Sequence, residues 1–251
     1  MAPKWRIQSI YNGKRILAVV PARGGSKGVP LKNLRKVCGH SLVAWVGEVV
    51  QQIACLDRAV VSTDHEGIAS EAEKSGIDAP FRRPAKLSGD RIGDVDVLQH
   101  AVAATEELDG IQYDVVVMLQ PTSPSRRPEH IEEAIRRLLD GNYDAVWSVS
   151  ETDLKVHPLK QLLIAENGQL RYYDPRGAEI VARQQLIPVY HRNGIVYAIT
   201  RDCLLATEVL LPKKSAAIVV NGPVINIDTE EDIVKAEKYM NECHRFNKQQ
   251  H

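Results

Sequence analysis

Five strand-like runs, most of them apolar and β-branched, alternate with four segments of helical periodicity through the first 150 residues, and that order constrains the fold more than any single motif. Ile16–Val20 is continuously apolar, as a strand buried on both faces requires. In Ser41–Ile53 the residues Leu42, Trp45, Val46, Val49 and Val50 recur at helical spacing, with Ser41 placed to cap the first turn. Ala59–Ser62 reads as a second strand, His65–Ser75 as a helix stopped by Gly76, and Ile77–Phe81 as a weak strand. Val95, Leu98, Val102 and Leu108 share one helical face. Val115–Leu119 is the clearest central strand, Pro128–Leu139 a helix with proline in its first turn, and Ala145–Val149 another strand. This β-α-β-α order predicts an α/β fold: a doubly wound, mostly parallel sheet with helices on both faces.

Ligands of such sheets lie beyond the carboxyl ends of the strands, where the strand order reverses. The polar clusters obey that rule: Arg23–Lys27, Thr63-Asp64 and Gln120–Arg126 each follow a predicted strand directly. The first is the richest. Gly24, Gly25 and Gly28 lack a Cβ and tolerate positive φ, so the backbone can approach an anion closely. Arg23, Lys27, Lys32 and Arg35 add positive charge, and successive amides in such a loop can form a nest for phosphate oxygens. A polyphosphate site is the expectation. It is not a Walker loop, because Lys27 is followed by Gly28 and Val29 and no hydroxyl stands where magnesium would need one. Nor is it a dinucleotide fingerprint, since Gly24-Gly25-Ser26-Lys27-Gly28 lacks the G-x-G-x-x-G spacing.

The 32 basic and 32 acidic residues cancel, so no global field attracts nucleic acid or a membrane surface, and any anion site is local. Cys38, Cys55, Cys203 and Cys243 form no C-x-x-C pair and read as reduced structural thiols. No apolar run approaches the roughly 20 residues of a membrane span, and the first residues lack the apolar core of a secretory signal. These features point to the cytoplasm. Residues 1–13 read as an N-terminal extension and residues 14–243 as the folded domain. Residues 151–190 break the alternation and read as an inserted arm or lid, with a hairpin of Leu162–Ile164 and Leu170–Tyr173. Ile195–Thr200 returns to strand character. Thr229-Glu230-Glu231-Asp232 has capping-box form and opens a last helix to about Cys243, followed by a polar tail, 244–251, expected to fray.

Seven motifs occur in register. PARGGSKGVPLKN (Pro21–Asn33), VSTD (Val61–Asp64), RRPAKLSGD (Arg82–Asp90) and LQPTSPSR (Leu119–Arg126) are followed by HPLK (His157–Lys160), RQQLIPVYHRNGIVY (Arg183–Tyr197) and INIDTEED (Ile225–Asp232). From about Arg15 to Met240 the chain resembles the acylneuraminate cytidylyltransferase (CMP-sialic acid synthetase) family of sugar-acid nucleotidyltransferases. The resemblance implies a Rossmann-like nucleotidyltransferase domain with a small arm that contributes to a homodimer. It also implies a reaction in which the anomeric hydroxyl of a nine-carbon 2-keto sugar acid attacks the α-phosphorus of CTP and releases pyrophosphate. An eight-carbon acid of the Kdo type, or a catalytically silent nucleotide-sugar-binding protein, are the alternatives.

Carried over residue by residue, the resemblance gives Arg23 and Lys27 the task of neutralising the departing pyrophosphate, with Gly24, Gly25 and Ser26 completing the CTP loop. Asn33 matches a nucleotide-contacting position and Arg83 a cytosine-contacting one. Gln120, Arg183, Arg192, Asn193 and Tyr197 match or adjoin sugar-contacting positions, with Arg183 and Arg192 suited to hold the carboxylate. Tyr197 equally fits packing within a strand, and Arg192 a solvated turn. His157 and His191 read as structural or surface groups, and no side chain is singled out to remove the hydroxyl proton.

Mg2+ is the implied metal, since a hard cation bridging phosphate oxygens needs only one or two protein carboxylates. Two positions depart from the family pattern. Where relatives commonly have two acids the chain reads Asn226-Ile227-Asp228, which makes Asp228 the anionic ligand and Asn226 a neutral partner on the same strand face. Where relatives often carry a small hydroxyl residue the chain has Asp94, which fits an N-cap of the following helix, a ribose contact or a metal contact.

Overall fold

The computed structural model describes residues 11–248, apart from the side chains of 243–248. The first half alternates as the periodicity requires: β1 (Ile16–Pro21), a short ribbon of β2 (Lys36–Val37) and β3 (His40–Ser41), α1 (Leu42–Val50), β4 (Arg58–Ser62), α2 (Glu66–Lys74), α3 (Asp94–Asp109), β5 (Val115–Met118), α4 (Pro128–Asp140) and β6 (Ala145–Glu151). The hairpin β7 (Leu162–Ile164) and β8 (Leu170–Tyr172) follows, then β9 (Tyr190–Thr200), α5 (Arg201–Ala206), β10 (Ser215–Val219) and α6 (Glu230–Lys248).

Six strands form one sheet in the order β10-β6-β9-β5-β1-β4. The pairs β1/β4, β1/β5 and β10/β6 are parallel, while β9 runs antiparallel to both β5 and β6. Side chains alternate across the sheet with period two. Ile16, Ala18 and Val20 face a core shared with α1, α2 and α4, while Leu17 and Val19 face a second core shared with α3. Burial on both faces is why β1 reads as an unbroken apolar run.

A third cluster matters more for the site. Val29, from the glycine-rich loop, packs with Val37, Leu42, Ile227, Ile233 and Ala236. That contact anchors the loop after β1 to the start of α6. The anchor is reinforced by a reciprocal cap: the Asp232 amide donates to Thr229 Oγ1 (3.3 Å) and the Thr229 amide donates back to Asp232 Oδ2 (2.9 Å).

Three expectations need adjustment. Ile77–Phe81 is not a strand; only an isolated bridge joins Asp78 to Val60, and Pro80 and Pro84 withhold the amides that a ladder would need. β9 begins at Tyr190, five residues before Ile195, because Arg192-Asn193-Gly194 interrupts its apolar pattern. α6 extends past Cys243 to Lys248. Among the described residues, no helix is long and apolar enough to cross a membrane.

Candidate active site

The chain leaves β1 for β4 on one side and returns to β5 on the other, so the crevice beyond β1 and β5 is the topological switch point. The two loops that meet there are the glycine-rich loop and Gln120–Arg126. A cavity of about 470 Å³ opens between them, lined by Arg23, Ser26, Lys27, Lys32, Asn33 and Asp228 among others.

Inside the loop, the glycines act by permitting close approach and not through positive φ: none of Gly24, Gly25 and Gly28 is among the left-handed residues. A Cβ at Gly28 would run into the Asp228 carbonyl oxygen, and one at Gly24 would press on the His65 side chain at 3.0 Å. The Gly24 amide donates to Asp64 Oδ1 (2.8 Å) and the Ser26 amide to the Gly24 carbonyl (3.0 Å). The amides of Gly25, Lys27 and Gly28 have no partner among the described residues and are left for a ligand. Buried Asn33 braces the loop from within, its Nδ2 donating to the Arg23 carbonyl at 3.0 Å.

The cations of this cavity are already paired. Arg23 and Lys27 both reach the Asp90 carboxylate, at 2.8 and 2.5 Å, and these bonds hold Asp90 below the usual carboxylate range. Asp90 stands where a phosphate would meet the same two donors. Its motif, RRPAKLSGD, was visible in the sequence, but nothing there signals that the carboxylate folds back onto the loop. Lys32 donates to the Ile227 carbonyl and to Asp228 Oδ1, both at 2.9 Å. Asp228 Oδ2 has no partner among the described residues, and Asn226 lines the same cavity although residues 223–228 are not strand. One free carboxylate oxygen and one amide carbonyl, with no nitrogen or sulfur ligand, form a hard donor set that fits magnesium arriving with a nucleotide.

Arg83 does not line the 470 Å³ cavity. It is buried, with Nε and Nη2 donating to the hydroxyl and carbonyl of Ser62, and burial pushes its guanidinium down to about 10. Its charged neighbours are Asp64, Arg23 and Asp94.

Gln120 and Asn226 also line a smaller recess of about 170 Å³, together with Asp94, Arg192, Gly194 and Tyr197. Asp94, Arg192, Trp147 and Leu210 in turn continue into an outer groove of about 450 Å³. A β-bulge on β9 shapes the recess. Trp147 pairs with Tyr197 and Val149 with Arg192, so Ser148 alone faces the four residues 193–196. The bulge is pinned by Asn193, which is buried: its Oδ1 accepts from Ser148 Oγ (2.6 Å) and from the Ile195 amide (3.2 Å), and its Nδ2 donates to Ser150 Oγ (3.1 Å). Asn193 therefore shapes the wall, its Oδ1 taken by two donors and one N–H of its Nδ2 used on Ser150. Gly194 sits at φ +75°, where a Cβ would come within 2.7 Å of Ser123 Oγ. Tyr197 packs within the sheet, its ring edge-on against Trp147 (4.9 Å) and its hydroxyl accepting from the Gly194 amide at 3.1 Å, and it lines the recess.

Asp94 is the first residue of α3, and Gly93 is the N-cap, so Asp94 does not cap the helix. Burial raises its pKa, opposed by Arg192 and Arg83. Arg183 lies apart, exposed in the arm and lining none of the three cavities. No local signal marks Ser148, Trp147 or Leu210, whose roles depend on the bulge and on the segment between α5 and β10.

Comparison with known proteins decides the family: the cytidylyltransferase model matches residues 17–240, which takes in all three cavities. The chain belongs to the cytidylyltransferase family. As a cytidylyltransferase it is a nucleotidyltransferase by reaction class. It is 33% identical to the CMP-N,N'-diacetyllegionaminic acid synthase of Legionella pneumophila, over 90% of this chain and 96% of that one. It is 28% identical to the pseudaminic acid cytidylyltransferase of Campylobacter jejuni, over 86% of this chain and 92% of that one. Among solved structures, the CMP:2-keto-3-deoxy-manno-octonic acid synthetase complexed with CTP superposes with a TM-score of 0.66, at 18% identity, over 91% of this chain and 99% of that one. At that identity the likeness establishes the cytidylyltransferase fold.

Proposed function

We propose that this cytidylyltransferase transfers CMP from CTP to the anomeric hydroxyl of a nine-carbon 2-keto sugar acid. The observation that carries the reading is the pair of joined compartments: a cationic cavity at the switch point opens, past Gln120 and Asn226, onto a recess holding the unpaired guanidinium of Arg192. The first suits a triphosphate and the second a sugar carboxylate. The names of these relatives, legionaminic and pseudaminic enzymes, favour a nine-carbon acid over the Kdo type.

Phosphoryl-type transfer depends on positioning and on neutralising charge as it moves to the leaving group. Arg23 and Lys27 would exchange Asp90 for phosphate oxygens, with the free amides of Gly25, Lys27 and Gly28 beside them. Arg192 would orient the acid, bidentately where its planar fork meets the carboxylate. Asp228 and Asn226 would hold magnesium, which neutralises phosphate charge when bound. Screening CTP, UTP, ATP and GTP against a panel of 2-keto acids tests the reading, with product mass as the readout. CMP-sugar formation is expected with CTP and a nine-carbon acid; CTP binding without turnover on any acid would overturn it.

Asp228→Asn is expected to raise the magnesium concentration for half-maximal activity on the order of tenfold or more. Asn226→Asp should lower it by adding a second charge. An Asp228→Asn enzyme with unchanged magnesium dependence would remove the metal assignment.

The arm supports a homodimer. It grows from the β6/β9 ribbon, and buried His157 ties its turns together by accepting from the Leu159 amide and donating to the Ile187 carbonyl. Yet Ile164, Leu170, Tyr173 and Val181 stand 75, 66, 64 and 89% exposed, more apolar surface than a monomer usually shows in one small hairpin. Sedimentation is expected to give twice the 27.9 kDa chain mass. The double variant Ile164→Asp/Leu170→Asp should sediment as a monomer; a dimer in that variant would assign the interface elsewhere. Cys38, Cys55 and Cys203 are free thiols, which supports a reducing, cytoplasmic setting.

A further inference from the structure

We propose that Asp94 is the base that takes the proton from the attacking anomeric hydroxyl. The inference rests on the sugar-acid reading above and concerns a step that this reading leaves without a residue.

Asp94 stands at the start of α3 with its side chain on the 170 Å³ recess, opposite Arg192 and beside Gln120, Tyr197 and Asn226. Neither the Asp94 nor the Arg192 side chain has a hydrogen bond or an ion pair within 4 Å among the described residues. A half-buried carboxylate and a guanidinium therefore face one small volume without neutralising each other directly, an arrangement suited to a ligand that offers something to each. The C2 atom of a cyclised 2-keto acid does so, because it bears the C1 carboxylate and the anomeric hydroxyl together. With the carboxylate on Arg192, the hydroxyl is directed to the remaining polar walls, of which Asp94 alone carries an anionic acceptor.

Size and charge agree. The recess is too small for a nine-carbon sugar and admits its C1–C2 end, while the outer groove of about 450 Å³ shares Asp94 and Arg192 and can take the rest. The charged groups facing Asp94 are Arg192 from β9 and Arg83 from the segment after β4, with the Tyr197 phenol as a neutral neighbour. Asp96 and Glu208 lie farther out in the groove. Two guanidinium charges against one carboxylate leave a single positive charge, which one substrate carboxylate balances. Burial raises the Asp94 pKa, a shift that makes the carboxylate a stronger base.

The step balances. The anomeric O–H bond breaks and its proton passes to the Asp94 carboxylate. The freed oxygen pair forms the C2–O–P bond to the α-phosphorus, and the bond from that phosphorus to the oxygen bridging to the β-phosphorus breaks. Pyrophosphate departs with that electron pair, against Arg23 and Lys27, and Asp94 returns its proton to solvent after release.

The test compares wild type, Asp94→Asn and Asp94→Glu on CTP and an accepted 2-keto acid, with CTP binding and melting temperature measured in parallel. Asp94→Asn keeps shape and hydrogen-bonding capacity but cannot take a proton. It is expected to lower kcat by about 10²–10⁴-fold with KM and CTP affinity changed less than threefold. The acid limb of the wild-type pH profile, lying above the ordinary carboxylate range, should disappear in Asp94→Asn, and Asp94→Glu should restore part of kcat. A fall in kcat smaller than tenfold, an effect confined to KM, or an acid limb that survives in Asp94→Asn overturns the proposal. Wild-type turnover in the same assay judges the sugar-acid reading separately, and the ratio of variant to wild type judges Asp94.

Discussion

Arg23→Ala is expected to lower kcat by about 10²–10³-fold, the usual cost of removing one preorganised donor from developing negative charge. The argument starts from what Arg23 does without a ligand. Its guanidinium and the Lys27 ammonium share the two oxygens of Asp90, on an edge of the cavity where the Gly25, Lys27 and Gly28 amides also stand unbonded. A triphosphate replacing the carboxylate would meet donors that are already gathered, so little reorganisation would be needed as charge moves to the leaving pyrophosphate. Arg23 is the less exposed of the two cations, its side chain 30% accessible against 78% for Lys27, so water screens Lys27 more and Lys27→Ala should cost less. Steady-state kinetics with CTP varied at saturating sugar acid check this. Arg23→Lys should recover only part of kcat, since an ammonium is a point charge and cannot span two oxygens. A kcat within threefold of wild type in Arg23→Ala would take the leaving-group role away from Arg23.

How much of this was legible beforehand depends on the range of the interaction. β1, β4, β5 and β6 and the helices between them follow from local periodicity, because each strand is buried on both faces and each helix on one. The polar clusters after β1 and β5 followed too, since strand order fixes where their loops must meet. What the sequence hid is set by partners 40 to 200 residues away. Asp90 folds back on Arg23, Lys32 reaches Asp228, and the Gly28 backbone lies against the Asp228 carbonyl. The bulge at residues 193–196 is written in side chains of another strand, Ser148 and Ser150, so nothing near Asn193 in the sequence signals that its amide braces them. Asp94 fitted a helix cap, a ribose contact or a metal contact; Gly93 holds the cap position, and the Asp94 carboxylate lines the recess. Arg183 matched a sugar-contacting position, but the arm carries it away from the cavities of its own chain.

Arg126→Ala is expected to reduce unfolding stability by about 3–5 kcal/mol, the range found when a buried charged group is removed and its partners stay buried. Arg126 is 5% exposed, and burial pushes its guanidinium down to about 9, so it is charged at neutral pH. It has no carboxylate partner among the described residues. Instead Nη2 donates to the carbonyls of Gln120 (2.6 Å) and Gly194 (3.2 Å), and Nε donates to the carbonyl of Ile195. These three acceptors belong to the loop after β5 and to the bulge of β9, the two backbones that frame the recess. Alanine would take a donor from all three, leaving the Gln120 carbonyl only the long bond from the Ser123 amide (3.4 Å), and leave a cavity. Methionine would fill the space without satisfying the acceptors, so Arg126→Met should lie between wild type and Arg126→Ala. Urea denaturation followed by circular dichroism gives the stabilities. A loss below about 1 kcal/mol in Arg126→Ala, the worth of one ordinary hydrogen bond, would mean that water satisfies these carbonyls and that the recess does not depend on the arginine. A large loss in Arg126→Ala, with kcat depressed at temperatures where the variant stays folded, would tie the sugar end of the site to the same three bonds.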